Sequence, residues 1–338
     1  MAEGQQTDVL VIGGGIAGLM AADALRGRGL RVTLADKGVR VGGRLATRRI
    51  GPGRGDHGAQ FFTARSAEFQ TLVAGWLAEG IIMPWANGFG DGSGDAMPTN
   101  GHPRYVVRGG MNDLAQHLAQ QLMPEVTVET SLRLAALSPE GAGWRARADS
   151  GRLFECRAVV LTPPVPRALD LLDLNIFTEA DRAALRRIEY APCLAGLFWV
   201  DGEVDLPEPG AIQRPGEWIS WVADNRRKGI SPEATVITVH TGPQSSRDLW
   251  ETTERDALAA LRAAVEPFLA PGAVIRESQL KAWRYALPTV LHPERYLPAA
   301  GLPPLVFAGD AFGGPRVEGA ALSGLEAGRA LAALLETI

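Results

Sequence analysis

The stretch that decides the fold is Asp8–Gly38, DVLVIGGGIAGLMAADALRGRGLRVTLADKG. Asp8–Ile12 is a short apolar run ending in glycines, the pattern of a strand buried on both faces of a parallel sheet. Ile16–Arg28 sets Leu19, Ala22 and Leu25 at helical spacing, which predicts an amphipathic helix. Arg31–Ala35 reads as a second strand, so the three segments predict one βαβ unit. Between first strand and helix lies Gly13-x-Gly15-x-x-Gly18. In that context one glycine permits the tight turn, one lets a pyrophosphate approach the backbone, and one lets helix and strand pack closely. The helix N-terminus adds amide donors and a partial positive charge. Asp36 ends the second strand, 18 residues after Gly18, where its carboxylate can accept from ribose hydroxyls.

This unit alone does not separate NAD from FAD. Two further stretches favour FAD, held non-covalently. Val41-Gly42-Gly43-Arg44 follows Asp36 closely, with a glycine pair for close backbone approach and a guanidinium for phosphate. Ala308-Gly309-Asp310 follows the last apolar run, Leu305–Phe307. It offers a carboxylate for a ribityl hydroxyl, ahead of a helix whose N-terminus would face the N1–C2=O edge of a flavin.

Working outward, Ala67–Leu77 and Gly110–Leu122 are expected helices, and Val126–Glu129 a strand. Trp144–Ala148 and Leu153–Cys156 are expected to pair antiparallel, with Ala158–Leu161 a separate buried strand that stops at Thr162-Pro163-Pro164. Thr178-x-x-Asp181 is a capping box opening a helix to about Ile188. Residues 193–200, 217–223, 234–240 and 278–286 alternate like strands, interrupted by one helix over 247–268. Gly319–Leu335 is a final helix. Ala86–Pro103 reads as a hairpin loop; its Asp91-Gly-Ser-Gly-Asp95 segment lacks the glutamate a calcium loop needs, position 102 being His102.

The expected fold class is therefore α/β: a Rossmann-type FAD-binding domain with an inserted antiparallel-sheet substrate domain. Residues 1–64, 104–165 and 288–338 are assigned to the first, and 65–103 and 166–287 to the second. With 338 residues, 46% hydrophobic and 21% charged, the chain has the make-up of a globular protein with room for two domains. A net charge of −4 points to neither nucleic acid nor membrane as partner. The basic run Arg226-Arg227-Lys228 is read as a solvated turn. Two distant cysteines, no basic leader and no 18-residue apolar run set the expectation of a cytoplasmic protein without disulfides. No histidine or cysteine spacing suggests a metal site.

Five blocks carry a family resemblance: GGGIAG at 13–18, VGGRLATRR at 41–49, DHGAQFFTAR at 56–65, KAWRYALP at 281–288 and GDAFGGPRVEGAALSGLEAGRAL at 309–331. They span the chain, which resembles the renalase-like branch of the FAD-dependent amine oxidase superfamily. The third and fifth blocks are the more specific. His57 and Phe61 depart from the family, whose members often carry Leu and Tyr there, and this leaves the exact substrate open. The resemblance implies a fold like p-hydroxybenzoate hydroxylase. It also implies oxidation of 1,2- and 1,6-dihydro isomers of NAD(P) to NAD(P)+, with O2 reduced to hydrogen peroxide. The expected partners are those dinucleotides and O2, in a monomer or weak dimer.

The expected cofactor set is Gly13, Gly15, Ile16, Ala17, Gly18, Asp36, Lys37, Gly43, Arg44, Gly58, Ala59, Gln60, Phe61, Val128, Thr162, Gly309, Asp310, Val317, Glu318, Gly319 and Ala320. For substrate, period two places Gln279, Lys281, Trp283 and Tyr285 on one face of their strand, and Val236, Thr238 and His240 on one face of another. The resemblance matches His240 and Trp283 to substrate-pocket positions, so the expected catalytic set is His240, Trp283, Gln60 and Tyr285. On pattern alone Trp283 is as readily a core residue, and His240 a hydrogen-bonded structural one. His57 is not expected to bind flavin covalently. Two other readings stay open: an amine oxidase or desaturase-type flavoenzyme, and a flavin-free binding protein like the GDP dissociation inhibitors.

Overall fold

The computed structural model describes residues 5–93 and 99–337. The chain divides into two compact units, 1–43 with 115–189 and 288–338, and 44–114 with 190–287. Residues 44–64 and 104–114 thus go with the second unit, whereas the sequence reading placed them with the first; residues 166–189 go the other way.

In the first unit the sheet runs Tyr296–Pro298, Leu305–Ala308, Leu153–Leu161, Gln5–Ile12, Val32–Ala35, Val126–Glu129. The last five are parallel to one another. Val9–Val11, Leu34, Ala158–Leu161 and Leu305–Ala308 are buried, which is what helices on both faces of a parallel sheet require. The helices Ile16–Arg26 and Arg316–Leu335 supply part of that cover. Leu153–Leu161 is one continuous strand, not two. Its first half pairs antiparallel with Gly143–Ala148 while its whole length pairs parallel with Gln5–Ile12. Nothing at Arg157 breaks the pleat; its side chain simply faces out.

The second unit holds an antiparallel sheet ordered Ala211–Gln213, Ile219–Asp224, Thr235–Thr241, Glu189–Asp201, Val274–Val290. One face packs Phe198, Val222, Ile237 and Val239 against Ala257, Leu261 and Val265. The expected single helix over 247–268 is three pieces: Pro243–Asp248, Glu254–Ala263 and a 3-10 turn Glu266–Phe268. Thr253 causes the break, because its extended backbone and side-chain oxygen cap a new helix at Asp256 N. Pro267 ends the second piece.

The other face of this sheet carries Leu197 and Val236, which pack with Ile50. Ile50 belongs to a hairpin, Thr47–Ile50 and Gly53–Asp56, that the sequence reading missed. Beside Ile50 the hairpin lies close on the sheet because Gly53 and Gly55 present no side chain there. A Cβ on Gly55 would stand 2.8 Å from Leu197 Cδ2 and 3.1 Å from Val236 Cγ1. That packing is why residues 44–64 belong with this unit. Ile82–Gly88 and Thr99–Val107 form a further strand pair, so the loop expected over 86–103 is shorter at both ends. The central part of that loop, including Asp95 of the calcium-like segment, lies outside the described residues.

Candidate active site

In the first unit, parallel strands bring their C-terminal ends to one edge of the sheet, where nucleotide sites form. Gly13, Asp36, Thr162, Gly309 and Asp310 follow four of those ends directly. A Cβ on Gly18 would stand 1.9 Å from Gly13 O, so only glycine allows this helix–strand contact. At Gly15 the situation is the reverse: an added Cβ meets nothing within 4 Å. Gly15 also caps the helix Ile16–Arg26, whose first residues Ile16 and Ala17 are buried. The loop thus leaves room for a phosphate at a helix N-terminus, the fit a dinucleotide needs.

Neighbouring groups hold this loop in shape. Thr162 Oγ1 donates to Ile12 O at 2.9 Å and contacts Gly13 O at 3.0 Å. Gly14 N donates to Asp36 Oδ2 at 2.5 Å, and Gly38 N to Asp36 Oδ1 at 2.6 Å. Asp36 is therefore a loop brace as well as a ribose-binding candidate, and each oxygen keeps a lone pair for a hydroxyl. Lys37 lies exposed beside it, and Val128 sits half-buried on the adjacent strand, opposite Leu34. Gly42 N donates to Gly14 O at 2.7 Å, which brings Gly43 against Gly15. At the other strand end, Gly309 takes φ +136°, a value that suits glycine, and donates to Ser323 Oγ at 2.8 Å. Asp310 is buried. Val317, Glu318, Gly319 and Ala320 make the first turn of the helix Arg316–Leu335.

In the second unit the DHGAQ block follows the hairpin strand Gly53–Asp56. Gln60 is buried, and its amide is fixed from both ends. Oε1 accepts from Trp221 Nε1 at 3.2 Å, while Nε2 donates to Asp56 O at 2.7 Å and Gly58 O at 3.2 Å. Nε2 also lies 3.3 Å from His240 Nε2. Because the amide nitrogen can only donate, His240 Nε2 must accept, and a neutral ring then carries its proton on Nδ1. Burial pushes His240 down to about 4, helped by the Lys228 charge and opposed by a hydrogen bond to the His57 carbonyl. Trp283 Nε1 donates to that same carbonyl at 2.8 Å. The His57 and Trp283 rings stack at 5.3 Å and 19°. Burial also takes His57 down to about 3, with Lys281, His240 and Arg48 adding to it. Both imidazoles are neutral at neutral pH.

Four of the expected residues thus meet here: His240 and Trp283 on the His57 carbonyl, Gln60 against His240, and Phe61 beside Trp221 at 5.6 Å. Gly58 and Ala59 are held by Arg44, since Ala59 N donates to Arg44 O at 2.8 Å and a Gly58 Cβ would stand 2.1 Å from it. Arg44 donates to Tyr285 O and Ala286 O, both at 3.2 Å. Tyr285 packs edge-on to Tyr190, 5.7 Å away.

The structure overturns one reading outright. Lys228 is not solvated: with 1% exposure it is among the most buried residues. Its Nζ meets Asp56 Oδ2 at 2.7 Å, both side chains being fully enclosed. Asp56 Oδ1 accepts from Thr47 Oγ1 at 2.5 Å and from Met111 N at 2.8 Å. Arg226 does stay exposed, and Arg227 pairs with Glu208. Sequence reasoning also missed Trp221, Trp85 and Phe89, which form an aromatic wall with Phe61. The one legible hint was Asp56 itself, a carboxylate opening a block of small residues.

The family described as flavin containing amine oxidoreductase matches residues 78–332, most of the chain. The chain belongs to that family. An NAD(P)-binding Rossmann-like domain matches residues 11–76. This flavin amine oxidoreductase superposes on several solved structures. For a protein from Exiguobacterium sp. 255-15, described provisionally as a protoporphyrinogen oxidase, the TM-score is 0.72 at 14% identity over 99% of this chain and 100% of that one. Putrescine oxidase bound to putrescine gives 0.69 at 16%, over 99% and 100%. Cyclohexylamine oxidase from Brevibacterium oxydans IH-35A gives 0.71 at 13%, over 98% and 99%. At these identities the likeness concerns the fold. This family member is an FAD-dependent oxidoreductase. Among its described residues no helix is long and apolar enough to cross a membrane, and no cluster of His, Cys, Asp or Glu is placed to hold a metal.

Proposed function

We propose that this flavin amine oxidoreductase is renalase-like, removing a hydride from 1,2- and 1,6-dihydro isomers of NAD(P) and releasing NAD(P)+. Bound FAD supplies the hydride acceptor and the route by which O2 takes the electrons as hydrogen peroxide. The reading rests on the five sequence blocks and, above all, on the protonation state of the Gln60–His240–His57 group. Losing a hydride turns a dihydropyridine into an aromatic pyridinium, and no proton has to move at the ring. An alkylamine, by contrast, must first shed its ammonium proton. Here both histidines are neutral but far too weakly basic for that task. Asp56 reaches this group only by its main-chain carbonyl, which accepts from Gln60, while its carboxylate is tied to Lys228. What remains is a set of fixed surfaces: the stacked His57–Trp283 pair and the His240 ring, for a flat ring to pack against, and Gln60 Oε1, whose second lone pair can accept from a carboxamide.

The cofactor assignment follows the same logic. The Gly13–Gly18 loop would take the pyrophosphate, Asp36 the adenosine ribose and Asp310 the ribityl chain.

The test is anaerobic mixing of the yellow enzyme with each dihydro isomer and, separately, with an amine panel. Bleaching of the flavin by the dihydropyridines is expected, at a rate level from about pH 5.5 to 8, because neither histidine, one at about 3 and the other about 4, titrates there. Bleaching by amines alone would reject the proposal in favour of an amine oxidase. In the same assay Trp283→Ala is expected to retain FAD and slow bleaching by about tenfold or more, through loss of ring positioning. An unaltered rate would remove Trp283 from the substrate site.

A further inference from the structure

The stacked His57–Trp283 pair stands in a one-sided field. Lys281 Nζ lies 5.3 Å from the Trp283 ring centre, one pleat away on the same strand face. Arg48 sits on the hairpin strand beside Thr47, whose partner in register is Asp56, next to His57. Both cations depress proton binding by His57, so both charges are felt at the ring pair. Neither belongs to an ion pair among the described residues, whereas many other arginines of the chain do. Arg48 is exposed and Lys281 half-buried, the placement of a rim rather than a core. A second, separate feature marks the same spot: His57, 5% exposed, has a buried Nδ1 without a partner among the described residues. A buried ring nitrogen left so is unfavourable unless a ligand group meets it.

We propose that Arg48 and Lys281 seat a phosphate-bearing arm of the substrate beside the His57–Trp283 stack. This rests on the dihydro-NAD(P) reading and adds to it the residues that would hold the substrate's phosphate, which a free base or riboside lacks. A guanidinium presents paired donors suited to phosphate oxygens, and an ammonium adds a mobile point charge. The same two charges repel an ammonium substrate from the ring pair. His57 Nδ1 would meet a polar group of the ring portion.

The experiment separates the seat from the chemistry. Inorganic pyrophosphate is titrated calorimetrically into the FAD-loaded enzyme, where the Gly13–Gly18 loop is already occupied. Arg48→Gln and Lys281→Gln are each expected to weaken binding about threefold, and the double variant about tenfold, the scale of partly exposed charge pairs. The charge-keeping exchange of Arg48→Lys with Lys281→Arg should retain affinity. In parallel, KM for the dihydronicotinamide mononucleotide should rise in the double variant, with KM for the riboside unchanged. Equal pyrophosphate affinity in the double variant and the parent would overturn the seat, as would an equal rise in KM for the riboside. Charge-dependent pyrophosphate binding without any flavin bleaching would uphold the seat and reject the dihydropyridine reading instead.

Discussion

Gly15→Val is expected to yield a folded protein that is no longer yellow. The argument rests on the contrast between two glycines of one loop. Gly15 has an extended backbone, φ −74° and ψ 177°, which valine adopts readily, and its missing Cβ would touch nothing in the protein. The fold therefore has no reason to object. The space that an isopropyl group would fill is the one a pyrophosphate must enter to reach the amides of the helix Ile16–Arg26. We expect FAD affinity to fall by about a hundredfold or more, equivalent to at least ~2.8 kcal/mol. Circular dichroism and flavin absorbance of the purified variant, with an FAD titration, check both halves of this statement. A variant as yellow as the parent would show that the phosphate lies elsewhere. Gly18→Val serves as the control for damage to the fold itself, since its Cβ would collide with Gly13 O at 1.9 Å.

The second large effect concerns Lys228→Met. Methionine fills a similar volume, so the change isolates the charge. It leaves the Asp56 carboxylate fully enclosed with Thr47 and Met111 N as donors but with no counter-charge. Breaking a buried pair from one side typically costs ~3–5 kcal/mol, a large fraction of the stability of most proteins. Burial already pulls Lys228 below the ordinary lysine range, and Asp56 is what holds the proton on it. The loss should appear in urea denaturation as a lower midpoint. Lys228→Met combined with Asp56→Asn should recover much of it, because the stranded charge is then gone. A midpoint shift worth less than ~1 kcal/mol in the single variant, the scale of a surface pair, would mean the pair is not the buried one described. The change also reaches the site. Asp56 O is an acceptor for Gln60 Nε2 and for Thr238 Oγ1, so a shifted Asp56 loosens the amide that faces His240.

The nucleotide half of this protein was written in local pattern. The strand, glycine loop and helix over residues 8–28 and the strand ending at Asp36 follow from periodicity and glycine spacing, which act over a few residues. The strand Leu305–Ala308 and Gly309-Asp310 after it were legible for the same reason, as were Val236, Thr238 and His240 on one face of a strand. Hydrophobic period also sufficed to foresee an antiparallel module in the second half of the chain. The break at Thr253 was visible only as a cap motif, and the helical period on either side hid it.

Pairing across the chain lay beyond that reach. Nothing near Lys228 says that its neighbours Arg226 and Arg227 turn outward while it turns in. That is decided by Asp56, 172 positions away. Likewise Gln60 acquires its orientation from Trp221, and Trp283 its stack from His57. The sequence by itself determined the nucleotide-binding framework, because main-chain geometry and burial period are local properties. Only the tertiary structure decided the protonation and polarity of the site, because a charge or proton in a buried place depends on every group folded against it.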